Sequence, residues 1–244
     1  MVVSPAPVPG TGTTGTTGMT GTDTRQRARV DDLRVEIVHL ASLTVDAVVG
    51  ATAAITEHDA VEADAVIRDD DAVDALRHSI EDECLRILGL GSLADTDLRF
   101  VLVAIRVAHE LERSADLMVN VARTTHRLGD AVFDDHARHL VHRLGKQAAV
   151  QLRVAVNAFV DRDPSWAAAL EDMDETVDEL EKSVFRHVLG GERHGDQETA
   201  LLRAVQLALV GRHYERVGDH AVSIAQHVHF VATGEHSRLR RRRQ

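Results

Sequence analysis

Two short acidic motifs, far apart in the chain, carry the side chains best suited to chemistry. Glu215 and Asp219 lie four residues apart in the sequence Glu-Arg-Val-Gly-Asp, and Glu112 and Asp116 have the same spacing in Glu-Arg-Ser-Ala-Asp. Four residues are close to one helical turn, so each pair stacks two carboxylates on one face of a helix. Because like charges at that spacing repel, each pair lowers helix stability unless a cation or a basic side chain lies against it.

The same acidic spacing occurs twice more, at places that a single offset relates. Moving along the chain by 103 to 104 residues places Leu40 on Leu144 and Asp59 on Asp163, and it superposes the acidic pairs as well. Such agreement in helix breaks and acidic positions is typical of a duplicated unit. The candidate site residues are the four pairs Asp70 and Asp74, Glu112 and Asp116, Asp174 and Asp178, and Glu215 and Asp219.

These pairs would form a cation site if two acidic helices face each other within each half. Four carboxylates would then converge, and hard oxygen ligands suit iron, manganese, magnesium or zinc. The alternative is ordinary solvated surface charge, with Arg113 and Arg216 neutralising their acidic neighbours. The sequence alone leaves both interpretations open.

The pattern of apolar residues predicts the helices that position these pairs. Steps of three and four recur in six segments, which break near Asp59 and at Gly and Pro residues farther along the chain. The predicted helices span about 29–58, 60–88, 96–128, 133–161, 164–189 and 196–232. The chain is 44% hydrophobic but only 3% aromatic, which favours helical bundles over a β-sandwich. We therefore expect an all-α fold of two tandem antiparallel three-helix bundles, six helices in all.

The predicted domain boundaries follow from this repeat. The first bundle covers residues 28–130 and the second covers 131–234. Residues 1–27 are rich in Thr, Gly and Pro and are expected to be disordered, since they have little apolar surface to bury. Residues 235–244 form a basic tail, from Arg238 to Arg243, that could contact anionic lipid or an acidic partner.

Composition and charge exclude several classes of function. The net charge of −11 disfavours nucleic-acid binding. The single cysteine, Cys84, is expected to be a buried thiol in a reducing compartment. We find neither a signal peptide nor a run of about 18 apolar residues, and therefore expect a cytoplasmic protein. We expect no enzymatic activity, because no Gly-rich phosphate loop with a lysine and no Ser/His/Asp arrangement is present. A row of histidines, His136, His139 and His142, could bind a soft divalent metal but is more readily explained as surface.

The two acidic motifs resemble the paired Glu-Arg-x-x-Asp-(His/Leu)-Ala-Val-Asn-Ile signatures of the PhoU family, accessory regulators of bacterial phosphate uptake. The opening of the third helix, Asp97-Leu-Arg-Phe100, and the run from Val66 to Leu76 follow the same family pattern. The resemblance covers about residues 30–232. It departs from the family pattern at Ala115, where glycine is usual, and at Ser223, where asparagine is usual.

This resemblance implies a six-helix, often dimeric, negative regulator of the phosphate-starvation response. Such proteins restrain a membrane sensor histidine kinase, together with the Pst phosphate ABC transporter, at the cytoplasmic membrane face. Some members bind multinuclear iron or zinc clusters on their acidic faces. The resemblance makes Glu112, Asp116, Glu215 and Asp219 the candidate metal ligands, with Asp70, Asp74, Asp174 and Asp178 behind them. A metal store, a metal-dependent enzyme or an accessory of another phosphate transporter are the alternatives.

Overall fold

Six long α-helices make up the part of the chain that the structure describes. The computed structural model describes residues 21–91, 93–129, 131–190 and 196–235, and no β-strand occurs among them. The helices are α1 (Gly21–Glu57), α2 (Ala60–Gly89), α3 (Asp95–Leu128), α4 (Asp135–Asp161), α5 (Trp166–Gly190) and α6 (Gln197–Thr233). The all-α prediction is confirmed, and five of the six helices begin within about two residues of the predicted position.

Aspartate side chains begin three of the helices. Asp59 accepts hydrogen bonds from the backbone N–H groups at the start of α2, and Asp134 and Asp196 do the same for α4 and α6. The start of α3 differs, because its capping position is Ala94 and no side chain among the described residues caps it. Asp97 instead pairs with Arg162 at 2.8 Å.

The first helix begins earlier than the sequence predicts. Residues 21–27 are helical rather than disordered, and α1 starts at Gly21. Gln26 explains part of the difference, since it is only 5% exposed and its Nε2 atom donates to the carbonyl oxygen of Gly91 at 3.0 Å. The first turns of α1 are thereby fixed to the turn that follows α2. The rest of the predicted disordered segment, residues 1–20, and the basic tail beyond residue 235 lie outside the described residues.

The helices pack as two three-helix bundles, each with a helix that touches only its own half. In the first half α1, α2 and α3 contact one another, and in the second half α4, α5 and α6 do so. The halves meet where α1 packs on α4 and α3 packs on α6. Among the described residues, α2 and α5 contact no helix of the other half. These outer helices carry one acidic pair each.

The interior is one continuous core that runs through both bundles. At one end of the contact between halves, the rings of Phe100 and Phe159 stack with centroids 4.7 Å apart. The guanidinium of Arg162 lies 4.9 Å above the Phe100 ring and also pairs with Asp97. A stacked aromatic pair under a cation is a specific contact, so it fixes how the two halves dock.

One segment of α1 is long and apolar enough to span a membrane. This segment, Arg25–Glu57, meets that criterion by length and composition, although the sequence shows no uninterrupted run of 18 apolar residues. Of its most apolar window, 56% is buried inside the protein. Its apolar face packs on α2, α3 and α4, as expected for a central helix of a bundle.

Candidate functional site

The first acidic cluster lies where α2 packs on α3. Burial, together with the charges of three neighbouring carboxylates, raises the pKa of Asp70 to about 6. Those carboxylates are Asp116, Asp74 and Glu112. The two acidic pairs of the first half therefore lie within electrostatic range of each other, one pair from each helix. Asp74 and Asp116 are exposed, whereas Asp70 and Glu112 are half-buried.

The second acidic cluster lies where α5 packs on α6, at the equivalent place. Burial raises the pKa of Asp174 to about 6, and Asp178 and Asp219 contribute to that rise. Burial and then Asp219 raise the pKa of Glu215 to about 7. All four acidic residues are half-buried, so this cluster is less accessible to water than the first. The structure thus brings together the four predicted residues of each half.

The arginines that face these clusters are not the ones that the sequence suggested. In the first half, Arg77 on α2 lies 4.0 Å from Glu112. In the second half, Arg212 on α6 lies 2.7 Å from Glu215. The cations come from different helices because the repeat-equivalent of Arg77 is an acidic residue, Glu181, which Arg212 also approaches to 3.6 Å.

The two arginines inside the motifs have other neighbours. Arg113 lies 4.0 Å from Glu110, on the other side of α3 from the acidic cluster. The positive charge of Arg216 lies close enough to His213 to lower the pKa of that histidine, after the larger effect of burial. An arginine next to an acidic residue in the sequence therefore need not pair with it, because neighbouring residues of a helix point in different directions.

A buried glutamine lies beneath the second cluster and was missed from the sequence. Gln151 on α4 is fully buried, and neither atom of its amide makes a well-formed hydrogen bond. Its polar contact with Asp174 partly offsets the rise in the pKa of that carboxyl. A methyl group on Gly218 would lie 3.0 Å from Asp174 Oδ1 and 3.2 Å from Gln151 Oε1. Gly218 therefore leaves the space that both side chains occupy.

The donor chemistry of both clusters suits a hard cation. Glu112 Oε2 and Glu215 Oε2 are buried without a hydrogen-bond partner, and carboxylate oxygens are the preferred ligands of such cations. In the part of the chain that the structure describes, however, no group of three or more His, Cys, Asp or Glu side chains is placed to hold a metal ion. Metal binding would therefore require these carboxylates to turn toward a common point.

Ser223, one of the departures from the family pattern, belongs to the contact between the halves. Its hydroxyl donates to Glu110 Oε1 at 3.0 Å, from α6 to α3. Close by, the Ser114 hydroxyl lies 3.0 Å from Nδ1 of the buried His220. The Ser223 hydroxyl therefore joins the two bundles.

Comparison with known proteins matches both halves of the chain to one family. A sequence description of the PhoU domain matches residues 37–125 and again residues 141–228, once in each bundle. The chain is 32% identical over 208 residues to a Mycobacterium tuberculosis protein named phosphate-specific transport system accessory protein PhoU homolog 1. That match covers 84% of this chain and 92% of the relative. The homolog from Caulobacter vibrioides is 30% identical over 203 residues, covering 83% and 87%.

Solved structures show the same architecture. The crystal structure of PhoU from Pseudomonas aeruginosa superposes with a TM-score of 0.78 at 27% identity, covering 86% of this chain and 99% of the other. The phosphate transport system regulatory protein PhoU from Streptococcus pneumoniae also gives 0.78, at 24% identity, covering 88% and 100%. The second match shows the fold alone.

Proposed function

The chain belongs to the PhoU family, and on that premise we propose that it is a negative regulator of phosphate uptake and of the phosphate-starvation response. It acts in the cytoplasm, at the membrane face, by contact with the Pst phosphate transporter and a sensor histidine kinase. The relatives named as accessory proteins of the phosphate-specific transport system support this assignment. No step of this function requires the chain to catalyse a reaction.

The observation that carries the proposal is the pair of equivalent acidic clusters in a chain that the family description matches in both halves. Each cluster lies partly on an outer helix, α2 or α5, that contacts no described helix of the other bundle. Asp116 on α3 is exposed, and Asp219 on α6 is half-buried. Carboxylates at an accessible surface suit a basic partner surface, whose encounter they would steer.

Deletion and complementation test the proposal. We expect deletion of the gene to raise a phosphate-starvation reporter in high phosphate, and wild type to restore repression. The variant that combines Asp116→Asn with Asp219→Asn is expected to restore repression poorly. Asp71→Asn with Glu175→Gln is the matched control, since these exposed acids occupy equivalent positions on α2 and α5. An unchanged reporter in the deletion strain would contradict the proposal.

Metal binding by the two clusters is the second candidate function. Glu112 Oε2 and Glu215 Oε2, which are buried and make no hydrogen bond among the described residues, favour it. The residues that would hold iron, zinc, manganese or magnesium are Asp70, Asp74, Glu112 and Asp116 in the first half, and Asp174, Asp178, Glu215 and Asp219 in the second. A bound cation would neutralise the repulsion within each cluster.

Elemental analysis of protein purified without chelator tests metal binding. We expect stoichiometric metal in wild type and its loss in the variant that combines Glu112→Gln with Glu215→Gln. Glu179→Gln is the control, because Glu179 is an exposed residue that pairs with Lys182. Substoichiometric metal that is equal in all three proteins would exclude this function.

We also propose a homodimer as the working form. Leu201, Val205 and Leu209 form an exposed apolar stripe on α6, each at least 45% accessible, and such a stripe suits an interface with a second copy. Sedimentation velocity is expected to show dimers of wild type and monomers of Val205→Lys. A wild-type protein that is monomeric at all concentrations would refute the dimer.

A further inference from the structure

An open groove between α4 and α5 is lined by basic side chains, although the chain as a whole is acidic. The groove has a volume of about 530 Å³ and lies where α4 begins and α5 ends. Leu140 is buried at its floor, and polar side chains line its walls. Those side chains are His136, Arg143, Ser183, Arg186 and His187. Among the residues that the structure describes, no carboxylate lines this groove, although the protein carries a net charge of −11.

The side chains of the groove are held in place by one another. The Nε2 atom of His187 lies 2.9 Å from Asp134 Oδ2. The ring centroids of His187 and His136 are 4.9 Å apart. Arg186 donates to the Ser183 hydroxyl at 2.9 Å. The histidine row on α4 that the sequence suggested is thereby divided, because His136 faces α5.

Arg143 borders this groove and also a neighbouring pocket that Asp172, Glu175 and Glu179 line. It is exposed, and within the described part of the chain it makes no hydrogen bond or ion pair. His187 lies in the last turn of α5, where a basic residue stabilises the helix dipole. That effect does not account for Arg143, which lies in the body of α4.

The duplication provides an internal comparison for the groove. The equivalent positions in the first half carry the opposite charge, since Asp82 stands at the position of Arg186 and Glu83 at that of His187. Asp32 replaces His136 and Glu36 replaces Leu140. These acids are close together, because burial and then Glu83 raise the pKa of Glu36, with Asp32 contributing.

The same fold thus holds both an acidic and a basic version of this groove. Arg86, which stands at the position of Gly190, does not make the first-half groove basic, because it pairs with Glu83. Packing therefore does not require positive charge at this place. The serine is common to both halves, as Ser79 and Ser183.

We propose that the groove between α4 and α5 binds a phosphate-type anion. Two guanidinium groups provide planar pairs of N–H donors that match phosphate oxygens, and the serine hydroxyl and the histidine rings add further hydrogen-bonding groups. The N-terminal turn of α4, which contains His136, contributes the positive end of its dipole. The groove is large enough for inorganic phosphate or for a phosphate group carried on a larger molecule, and it lies apart from both acidic clusters.

A second copy of this chain is the competing occupant, because its acidic first-half groove would complement the basic one. Such a contact joins different surfaces on the two copies, so it closes into a dimer only if both copies make it reciprocally about a two-fold axis, and otherwise continues into a ring or an open chain of subunits. A groove lined by two guanidinium groups, a serine hydroxyl and two histidine rings fits a compact anion better.

The test compares two arginine-to-alanine double variants of the full chain that lose the same charge. Arg143→Ala with Arg186→Ala removes the groove cations. Arg138→Ala with Arg153→Ala is the control, since both residues are exposed on α4 and neither lines the groove. All four side chains are exposed, so the core is untouched, and circular dichroism verifies folding.

Equilibrium dialysis with radiolabelled inorganic phosphate forms the first arm, and flotation with phosphatidic acid vesicles against phosphatidylcholine vesicles forms the second. Binding in the first arm identifies free phosphate as the ligand, and binding in the second arm alone identifies a phosphate headgroup. In either case the groove variant is expected to lose about tenfold or more in affinity and the control less than about twofold. Equal losses in both variants, or no binding by wild type in either arm, overturn the proposal. Chain-like self-association that the groove variant abolishes, without phosphate binding, assigns the groove to a second copy instead.

Discussion

The hydroxyl groups of Thr52 and Tyr214 lie 2.7 Å apart in the protein interior, where they join α1 of the first bundle to α6 of the second. Thr52 also donates to the carbonyl oxygen of Val48 at 2.6 Å, so the Tyr214 hydroxyl is the donor in this contact. Burial raises the pKa of Tyr214, which keeps the phenol protonated. Because Tyr214 directly precedes Glu215, the contact between halves and the second acidic cluster share one helical turn.

Tyr214→Phe is expected to lower the free energy of unfolding by about 1 kcal/mol, the usual net value of a buried hydrogen bond. Chemical denaturation monitored by circular dichroism measures the change. In a Thr52→Val background the same substitution should cost less, because the acceptor is already missing. Equal losses in both backgrounds would show that this hydrogen bond is not the cause.

Gly145→Ala tests how closely α1 and α4 approach. A Cβ atom at Gly145 would overlap the side chain of Thr52, whereas one at Gly89 would meet no atom within 4 Å. Alanine favours a helix interior over glycine by about 1 kcal/mol, but overpacking costs about 1–3 kcal/mol. We therefore expect Gly145→Ala to lower the melting temperature and Gly89→Ala to leave it unchanged or higher. The reverse order would show that the helices can move apart without loss.

Gly218 and Gln151 are expected to be energetically coupled. A methyl group on Gly218 would lie 3.2 Å from Gln151 Oε1, so Gly218→Ala alone should destabilise the second bundle by about 1 kcal/mol. In the presence of Gln151→Ala the added methyl group has room, and the loss should become smaller. The first half already has this combination, as Ala115 and Ala47 at the equivalent positions.

A double-mutant cycle measures this coupling by denaturant unfolding of the four proteins. We expect an interaction of about 0.5 kcal/mol or more, since the two side chains are direct neighbours. Additive effects would mean that the glycine in the second motif is not required by the buried amide.

The helices and the duplication could be predicted from the sequence because both appear as regular spacings of residues along the chain. Val66, Val73 and Ile80 recur at seven-residue steps and form the buried face of α2, and the acidic pairs repeat at a constant offset. The start of α1 was not predictable, since the contact between Gln26 and Gly91 joins residues 65 positions apart.

The residues that surround the acidic clusters depend on how the helices pack, and short-range sequence patterns do not predict that packing. The contact of Gln151 with Asp174 requires knowing which faces of α4 and α5 meet. The same holds for Ser223, whose partner Glu110 is 113 residues away in the other half. The sequence predicted which carboxylates lie together. It did not predict that Arg77 and Arg212 face the clusters, that Gln151 lies beneath the second one, or that Ser223 joins the two bundles.

The second acidic cluster should make stability depend on pH in a defined direction. Burial and the charge of Asp219 raise the pKa of Glu215 from its ordinary value of 4.5 to about 7. The folded protein then holds this proton more tightly than the unfolded chain does. The resulting stabilisation is fully present below pH 4.5 and is lost as the pH rises through about 7. At pH 8 the ionised cluster therefore destabilises the fold.

Glu215→Gln removes that ionisation while keeping the size of the side chain. In buffer with chelator we expect the variant to be more stable than wild type at pH 8, on the order of 1 kcal/mol after solvent screening, with the advantage shrinking toward pH 5. The lost pairing with Arg212 should matter little, because the arginine side chain is 54% exposed. Glu179→Gln is the control, since its hydrogen bond to Lys182 lowers the pKa of Glu179, and it should give no advantage at pH 8. Denaturant unfolding at several pH values measures both, and a Glu215→Gln variant that is less stable than wild type at pH 8 would show that Arg212 and the surrounding water already neutralise the cluster.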